Sequence, residues 1–190
     1  MTRLEMREKL KEKLPDKRFE HSLGVEYTAG NLAFIHGVDI EKALIAGLLH
    51  DCAKYVANDK KITKLTKRNI PITESEYKNP DLLHAKLSAV YAKEKYDVKD
   101  EDILSAIACH TTGKPAMSAL DKIIYIADYI EPNRAPLPEI ETIRKEAYTD
   151  LDICLKHILY NTINYLGKKE SNIDPITKQT YAYYAEARKE

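Results

Sequence analysis

The chain is expected to fold as an all-α protein, and three features of its sequence point there. Apolar residues recur at spacings of three and four through nearly the whole length. Alternating strand-like runs bounded by glycine are missing, and helix start and stop residues punctuate the apolar stretches. At 190 residues the chain is long enough for one well-formed core. We therefore expect a single domain over 1–190, with its core at about 15–135 and C-terminal helices over about 138–189 packed on it.

The opening segment, MTRLEMREKLKEKL, is charged throughout and has no apolar run of signal-peptide length. Pro15 and Asp16 then open a helix through KRFEHSLGVEYTAGNLAFIH that stops at Gly37, with proline near the start and glycine just past the end. Asp39 caps the next helix, IEKALIAGLLHDCAKY, which carries His50 and Asp51 side by side among apolar and small residues. A more polar helix, DKKITKLTKRN, follows Asn58 and ends before Pro71. After NPD come the helices LLHAKLSAVYAKEKY and DEDILSAIACH, the loop TTGKPAM and the helix SALDKIIYIADYI. EPNRAPLP, with three prolines in seven residues, closes that run. Helices over about 138–167, broken near Thr149, and over about 176–189 complete the chain. There is no internal repeat or low-complexity tract.

Composition narrows the function. Thirty Lys and Arg balance thirty Asp and Glu, so no global positive field gathers nucleic acid, and the expected partner is a small molecule. No segment approaches the roughly eighteen apolar residues of a membrane span, so no membrane role is expected. Cys52, Cys109 and Cys154 form neither a zinc-like pair nor an even disulfide set, which suits a reducing cytoplasm and small buried side chains.

Four of the six histidines fall in helical settings where a solvated residue is out of place: His21 in RFEHSLGV, His50 in GLLHDCAKY, His84 in DLLHAKLS and His110 in AIACHTTG. Asp128 stands within IIYIADYI, one of the most apolar stretches. Each alone reads as a hydrogen-bonded core residue. Together, on separate helical segments, their burial penalties add, and one shared metal centre would satisfy them all. His36, beside the Gly37 stop, and His157, in a mixed segment, are not read as ligands.

The order His, His-Asp, Asp across successive helices resembles the HD-domain metal phosphohydrolases, with His21, His50, Asp51 and Asp128 at the motif positions. RFEHSLGV, HDCAK, HTTG and DKIIYIADYIEPNR together are similar to the YqeK-type family, the symmetrical diadenosine tetraphosphate hydrolases of bacteria. The resemblance covers roughly 15–185. It implies that His21, His50, Asp51 and Asp128 hold one metal, while His84 and His110, with Asp51 bridging, hold or border a second. It also implies cleavage of diadenosine tetraphosphate into two ADP. Imidazole and carboxylate donors without thiolate suit iron, manganese, cobalt or zinc, and the resemblance points to iron. NIDPITKQTYAYY matches the family's closing motif less well. A homodimer is compatible with the amphipathic helices.

Breaking a phosphoanhydride needs an acidified water and neutralised phosphoryl oxygens, which two metals supply together. Asp51 would orient the water. Lys54, three positions after Asp51 in an HDxxK pattern, would meet charge developing on the phosphate, or else stand as a surface ammonium. Arg18, one turn before His21, and Gly24, nearly one turn after it, share a face that offers substrate a cation and a gap. Thr111, Thr112, Gly113 and Lys114 have the makings of a phosphate cradle, and Arg134 can fork onto a phosphate. Asp121, a heptad before Asp128, reads as a structural acid. The tyrosines of YAYYAEA read as helix packing, with adenine stacking as the alternative. Two other functions stay open: an HD phosphohydrolase for a mononucleotide or deoxynucleoside triphosphate, and a metal-containing nucleotide-binding regulator without turnover.

Overall fold

The computed structural model describes residues 1–135, 137–169 and 173–186, and among these every regular element is helical. In chain order they are α1 (Arg3–Lys11), α2 (Asp16–Ile35), α3 (Ile40–Leu49), α4 (Asn58–Thr66) and α5 (Glu74–Lys78). After a 3-10 turn (Pro80–Leu82) come α6 (Leu83–Lys95), α7 (Glu101–Cys109), α8 (Ala119–Ile130), α9 (Ile140–Ala147), α10 (Leu151–Lys168) and α11 (Pro175–Glu186). The all-α expectation holds. Pro136 and residues 187–189 of the expected last helix lie outside the described residues.

Two helices went unread in the sequence. The charged N-terminus forms α1 because Thr2 and Glu5 close a capping box and Met6 and Leu10, four apart, bury one face. Its charge is used internally: Arg7 forks onto the fully buried Glu26 of α2, Nε to Oε2 at 2.9 Å and Nη2 to Oε1 at 2.7 Å. A second capping box, Thr73 with Glu76, starts the short α5. Ser118 and Asp121 form a third at the head of α8, which accounts for Asp121 as a structural acid.

One boundary corrects the sequence reading. The α3 helix ends at Leu49, and His50 to Tyr55 run as turns bonded three residues back, Cys52 N–H to Leu49 O at 3.0 Å and Lys54 N–H to Asp51 O at 2.9 Å. The cause is local. Buried His50 gives its Nδ1–H to Gly47 O at 2.7 Å, the carbonyl that a continuing helix would need for Asp51 N–H.

The α2 helix packs on α3 and α8, α7 on α6 and α8, and α10 joins α8, α9 and α11. Leu32, Leu48, Leu87, Ile107, Ile123 and Ile126 are fully buried in the core these helices share. All three cysteines are buried free thiols, and burial pushes Cys52 and Cys109 up to about 12, so they behave as small apolar residues. No helix among the described residues is long and apolar enough to cross a membrane.

The α2–α3 contact closes at Gly47, where an added Cβ would sit 3.0 Å from both Glu26 Cα and Val25 O. Both are backbone atoms. Gly47→Ala must therefore push the two helices apart, and because they carry His21 and His50 it spreads the centre as well. Thermal unfolding should show a loss of about 1–3 kcal/mol, with metal content falling in parallel; an unchanged melting temperature would refute this packing role.

Candidate metal centre

The elements bring His21, His50, His84, His110, Asp51 and Asp128 into one buried space. The imidazoles form a row, with ring centroids 5.2 Å apart for His21 and His50, 4.9 Å for His50 and His110, and 5.1 Å for His110 and His84. Two carboxylates face it. Asp128 Oδ1 lies 3.1 Å from His21 Nε2 and 3.9 Å from His50 Nε2. Asp51 reaches the other way, with Oδ1 at 3.2 Å from His84 Nε2 and 3.8 Å from His110 Nε2, and Oδ2 at 3.6 Å from His50 Nε2.

All four rings are oriented alike. His50, His84 and His110 each turn Nδ1 to the carbonyl three residues earlier, Gly47 O at 2.7 Å, Asp81 O at 2.5 Å and Ile107 O at 2.7 Å. His50 and His110 follow the last residues of α3 and α7, where carbonyls lack helical partners, and His84 reaches back into the 3-10 turn before α6. A carbonyl only accepts, so Nδ1 carries the hydrogen and Nε2 of the neutral ring keeps its lone pair. His21, within α2, gives Nδ1 to the Glu131 carboxylate instead, at 3.0 Å.

The Nε2 atoms of His21 and His50 and Oδ1 of Asp51 are buried without a hydrogen-bond partner. Such orphaned polar atoms cost about 1–3 kcal/mol each. Three of them rimming one space fit a bound cation. Within it His21, His50 and Asp51 form one group whose ligand atoms lie within 4.8 Å of one another; His50, His110 and Asp128 form a second, and Asp51, His84 and His110 a third.

The electrostatics agree. Burial pushes His50 down, and His84 and His110 down to about 4, so these imidazoles are neutral at neutral pH, as a metal ligand must be. Burial alone would raise Asp51 and Asp128. Yet the imidazoles of His50, His84 and His110 around Asp51, and His21 and His50 beside Asp128, hold both well below the usual carboxylate range. His21 goes the other way, since Asp128 and Glu131 outweigh its burial and raise it.

The substrate-side expectations divide. Arg18 Nη1 pairs with Asp51 Oδ2 at 2.9 Å and Arg134 Nη1 with Asp128 Oδ1 at 2.9 Å, so both guanidiniums stand at the centre. Thr111 Oγ1 lies 3.2 Å from His110 Nε2 and 3.3 Å from His84 Nε2. Lys54, on a turn rather than a helix, puts Nζ 2.8 Å from Asp81 Oδ2 and 3.1 Å from His84 Nδ1.

The rest of the TTGKP loop is committed elsewhere. Thr112 donates to Gly113 O at 3.2 Å. Gly113, at φ +67°, closes the turns that follow α7 with its N–H on Cys109 O at 2.8 Å, and a Cβ there would lie 2.8 Å from Thr180 Cγ2 of α11. Lys114 Nζ is bound by Asp121 Oδ2 at 2.9 Å and Ser105 Oγ at 2.5 Å. All three are engaged in the packing of this loop, Thr112 within it, Gly113 against α11 and Lys114 on Asp121 and Ser105. Beside Gly24 the space toward His21 holds the Glu131 carboxylate. His36 and His157 lie apart, on Ala147 O at 2.7 Å and on Glu146 Oε2 at 2.9 Å.

The sequence reading missed two parts of the site. Glu131 is 1% exposed and anchors His21. A cavity of about 600 Å³ opens on His110, Thr111, Asp128 and Arg134 and is walled by Tyr129, Leu137, Asn161, Asn164 and Tyr165. The α10 residues Asn161, Asn164 and Tyr165 carry no signal of this kind in the sequence.

The HD-domain family profile matches residues 18–133, which takes in His21, His50, Asp51 and Asp128. The chain belongs to the HD-domain family. It is similar over nearly its whole length to the symmetrical bis(5'-nucleosyl)-tetraphosphatases of Halalkalibacterium halodurans and Bacillus subtilis, each 41% identical over 172 residues, 90% of this chain and 91% of theirs. A crystal structure from Clostridium acetobutylicum, described as a "predicted HD superfamily hydrolase involved in NAD metabolism", matches with a TM-score of 0.94 at 40% identity over 97% of both chains.

Proposed function

We propose that the chain is a metal-dependent hydrolase that cuts diadenosine tetraphosphate symmetrically into two ADP. The observation that carries this is the six-residue centre opening directly onto a cavity of nucleoside size, with Arg134 on the rim common to both. The names borne by the Halalkalibacterium and Bacillus relatives supply the substrate class.

His21, His50, Asp51 and Asp128 would hold one divalent ion, and His84 and His110, with Asp51 shared, a second; the donor set admits iron, manganese, cobalt or zinc, and we favour iron. Such ions acidify water and neutralise phosphoryl oxygens. The remaining steps belong to the chain. Tyr129 and Tyr165 give aromatic faces to a nucleobase, and Asn161 and Asn164 give amides that can pair with its edge. Arg134 turns the attached diphosphate toward the histidine row, and Thr111 offers it a hydroxyl. Asp51, open on Oδ1, orients the attacking water. The water oxygen joins the second phosphorus from the held nucleoside, the bond from that phosphorus to the bridging oxygen breaks, the other half leaves with that oxygen as the second diphosphate, and the water's protons pass to the solvent. Lys54 stands behind His84 to meet the charge that builds on the phosphate.

Chromatography of the products should show two ADP per diadenosine tetraphosphate, with no AMP or ATP. In oxygen-18 water one ADP of each pair should carry label. AMP plus ATP would overturn the symmetrical assignment, and inactivity on the dinucleotide with phosphate released from mononucleotides would transfer the site to a different nucleotide.

A further inference from the structure

Three histidines of the centre lean on carbonyl oxygens and the fourth leans on a carboxylate. His21 lies inside α2, where the neighbouring carbonyls are taken by the helix itself, so Nδ1 needs a partner from elsewhere. Glu131, 110 positions along the chain, supplies Oε1 at 3.0 Å.

The carboxylate has little freedom. Oε2 accepts Asn133 N–H at 2.7 Å, and the side chain is closed in from the α2 side at Gly24. A Cβ on Gly24 would run into Oε2 and lie 3.1 Å from Cδ. Gly24 is thus the slot that admits Glu131. It sits one turn beyond His21, so the carboxylate is held against the ring it orients.

At the far end of the row the group behind the ring has the opposite sign, while Arg18 and Arg134 touch the carboxylates Asp51 and Asp128 nearer the centre. Behind His84, beyond its bond to Asp81 O, stands the Lys54 ammonium at 3.1 Å from Nδ1. An imidazole that donates to a carboxylate is a more basic ligand, whereas an ammonium at the same distance opposes a cation.

We infer that Glu131 is a positioning residue that fixes His21 and makes its Nε2 the stronger donor, and that through it the His21 end of the centre binds a divalent cation more tightly than the His84 end. The inference rests on the metal-dependent reading given above, and neither substrate nor products enter it.

Titrating the metal-stripped chain with Co(II), followed by visible absorption and by calorimetry, should resolve a tight and a weak phase. His21→Ala should remove the tight phase and His84→Ala the weak one. Glu131→Gln keeps the size but has no charge and one oxygen for two donors. It should weaken the tight phase by about 10–100-fold and leave the weak phase in place. A tight phase unchanged in Glu131→Gln, or both phases weakened equally as by a general loss of structure, would overturn the role of Glu131. Gly24→Ala keeps the charge and displaces the carboxylate. It should shift the tight phase alone, and failure to do so counts equally against the inference should Glu131→Gln not fold. A single undivided phase in the unaltered chain overturns only this inference, whereas no Co(II) binding at all overturns the metal reading with it.

Discussion

Asp51→Asn is expected to remove metal and turnover together. Asp51 is the carboxylate that faces three of the four imidazoles, from 3.2 Å at His84 to 3.8 Å at His110. Asparagine keeps its volume, so the substitution isolates the charge, and it also strips Arg18 of its partner at 2.9 Å. Metal-assisted stabilisation of the transition state is worth several kcal/mol, so turnover should fall by about 10³-fold or more. Elemental analysis should find less than about a tenth of the metal of the unaltered chain. Linkage supplies a second measurement. An ion present at about 100 times its dissociation constant stabilises the fold by about 2.7 kcal/mol, so added metal should raise the melting temperature of the unaltered chain by about 5–10 °C and leave Asp51→Asn unmoved. A variant that retains metal and turns over within tenfold would refute the bridging role.

The six candidate ligands were legible because the sequence places costly side chains where only apolar ones belong. His50 and Asp51 after GLL, and Asp128 inside IIYIAD, have no solvated option in a helical core. Glu131 left no such mark. It precedes a proline at a helix end, where an acid reads as solvent-facing, and its partner lies on another helix. The TTGKP loop is the reverse case. Its composition suits a phosphate cradle, but Gly113 packs against Thr180 of α11 and Lys114 pairs with Asp121, contacts that local spacing does not reveal. Lys61 is a similar case. It belongs to a polar helix and reads as solvated, yet it is 2% exposed, with Nζ on Asn58 Oδ1 at 2.9 Å and Asp81 Oδ1 at 3.2 Å. The cavity wall was hidden too, because Asn161, Asn164 and Tyr165 come beside His110 and Asp128 only where α10 passes the centre.

Those partners of Lys61 lead to the second large effect, a division of labour between Lys54 and Arg134. Asp81 binds two ammonium groups, Lys61 on Oδ1 at 3.2 Å and Lys54 on Oδ2 at 2.8 Å, and the anchored pair holds Lys54 behind His84, off the walls of the nucleoside cavity. A cation held there contributes little to capture and much to charge that appears during reaction. Lys54→Ala should therefore lower kcat by about 10²–10³-fold while KM changes less than about threefold. Asp81→Asn, which loosens the anchor but keeps the ammonium, should lower kcat by a smaller factor. Arg134 is placed differently. It lines the 600 Å³ cavity and also the open pocket of about 430 Å³ on the other side, where Lys17 and Arg18 add further positive charge. A guanidinium shared by both openings meets the polyphosphate before any bond breaks, so Arg134→Ala should raise KM by about tenfold or more and lower kcat less. Steady-state kinetics on the two variants decide the matter: a kcat effect at Arg134 with a KM effect at Lys54 would exchange their roles, and no effect at Lys54 would return it to the surface ammonium that its sequence position also allows.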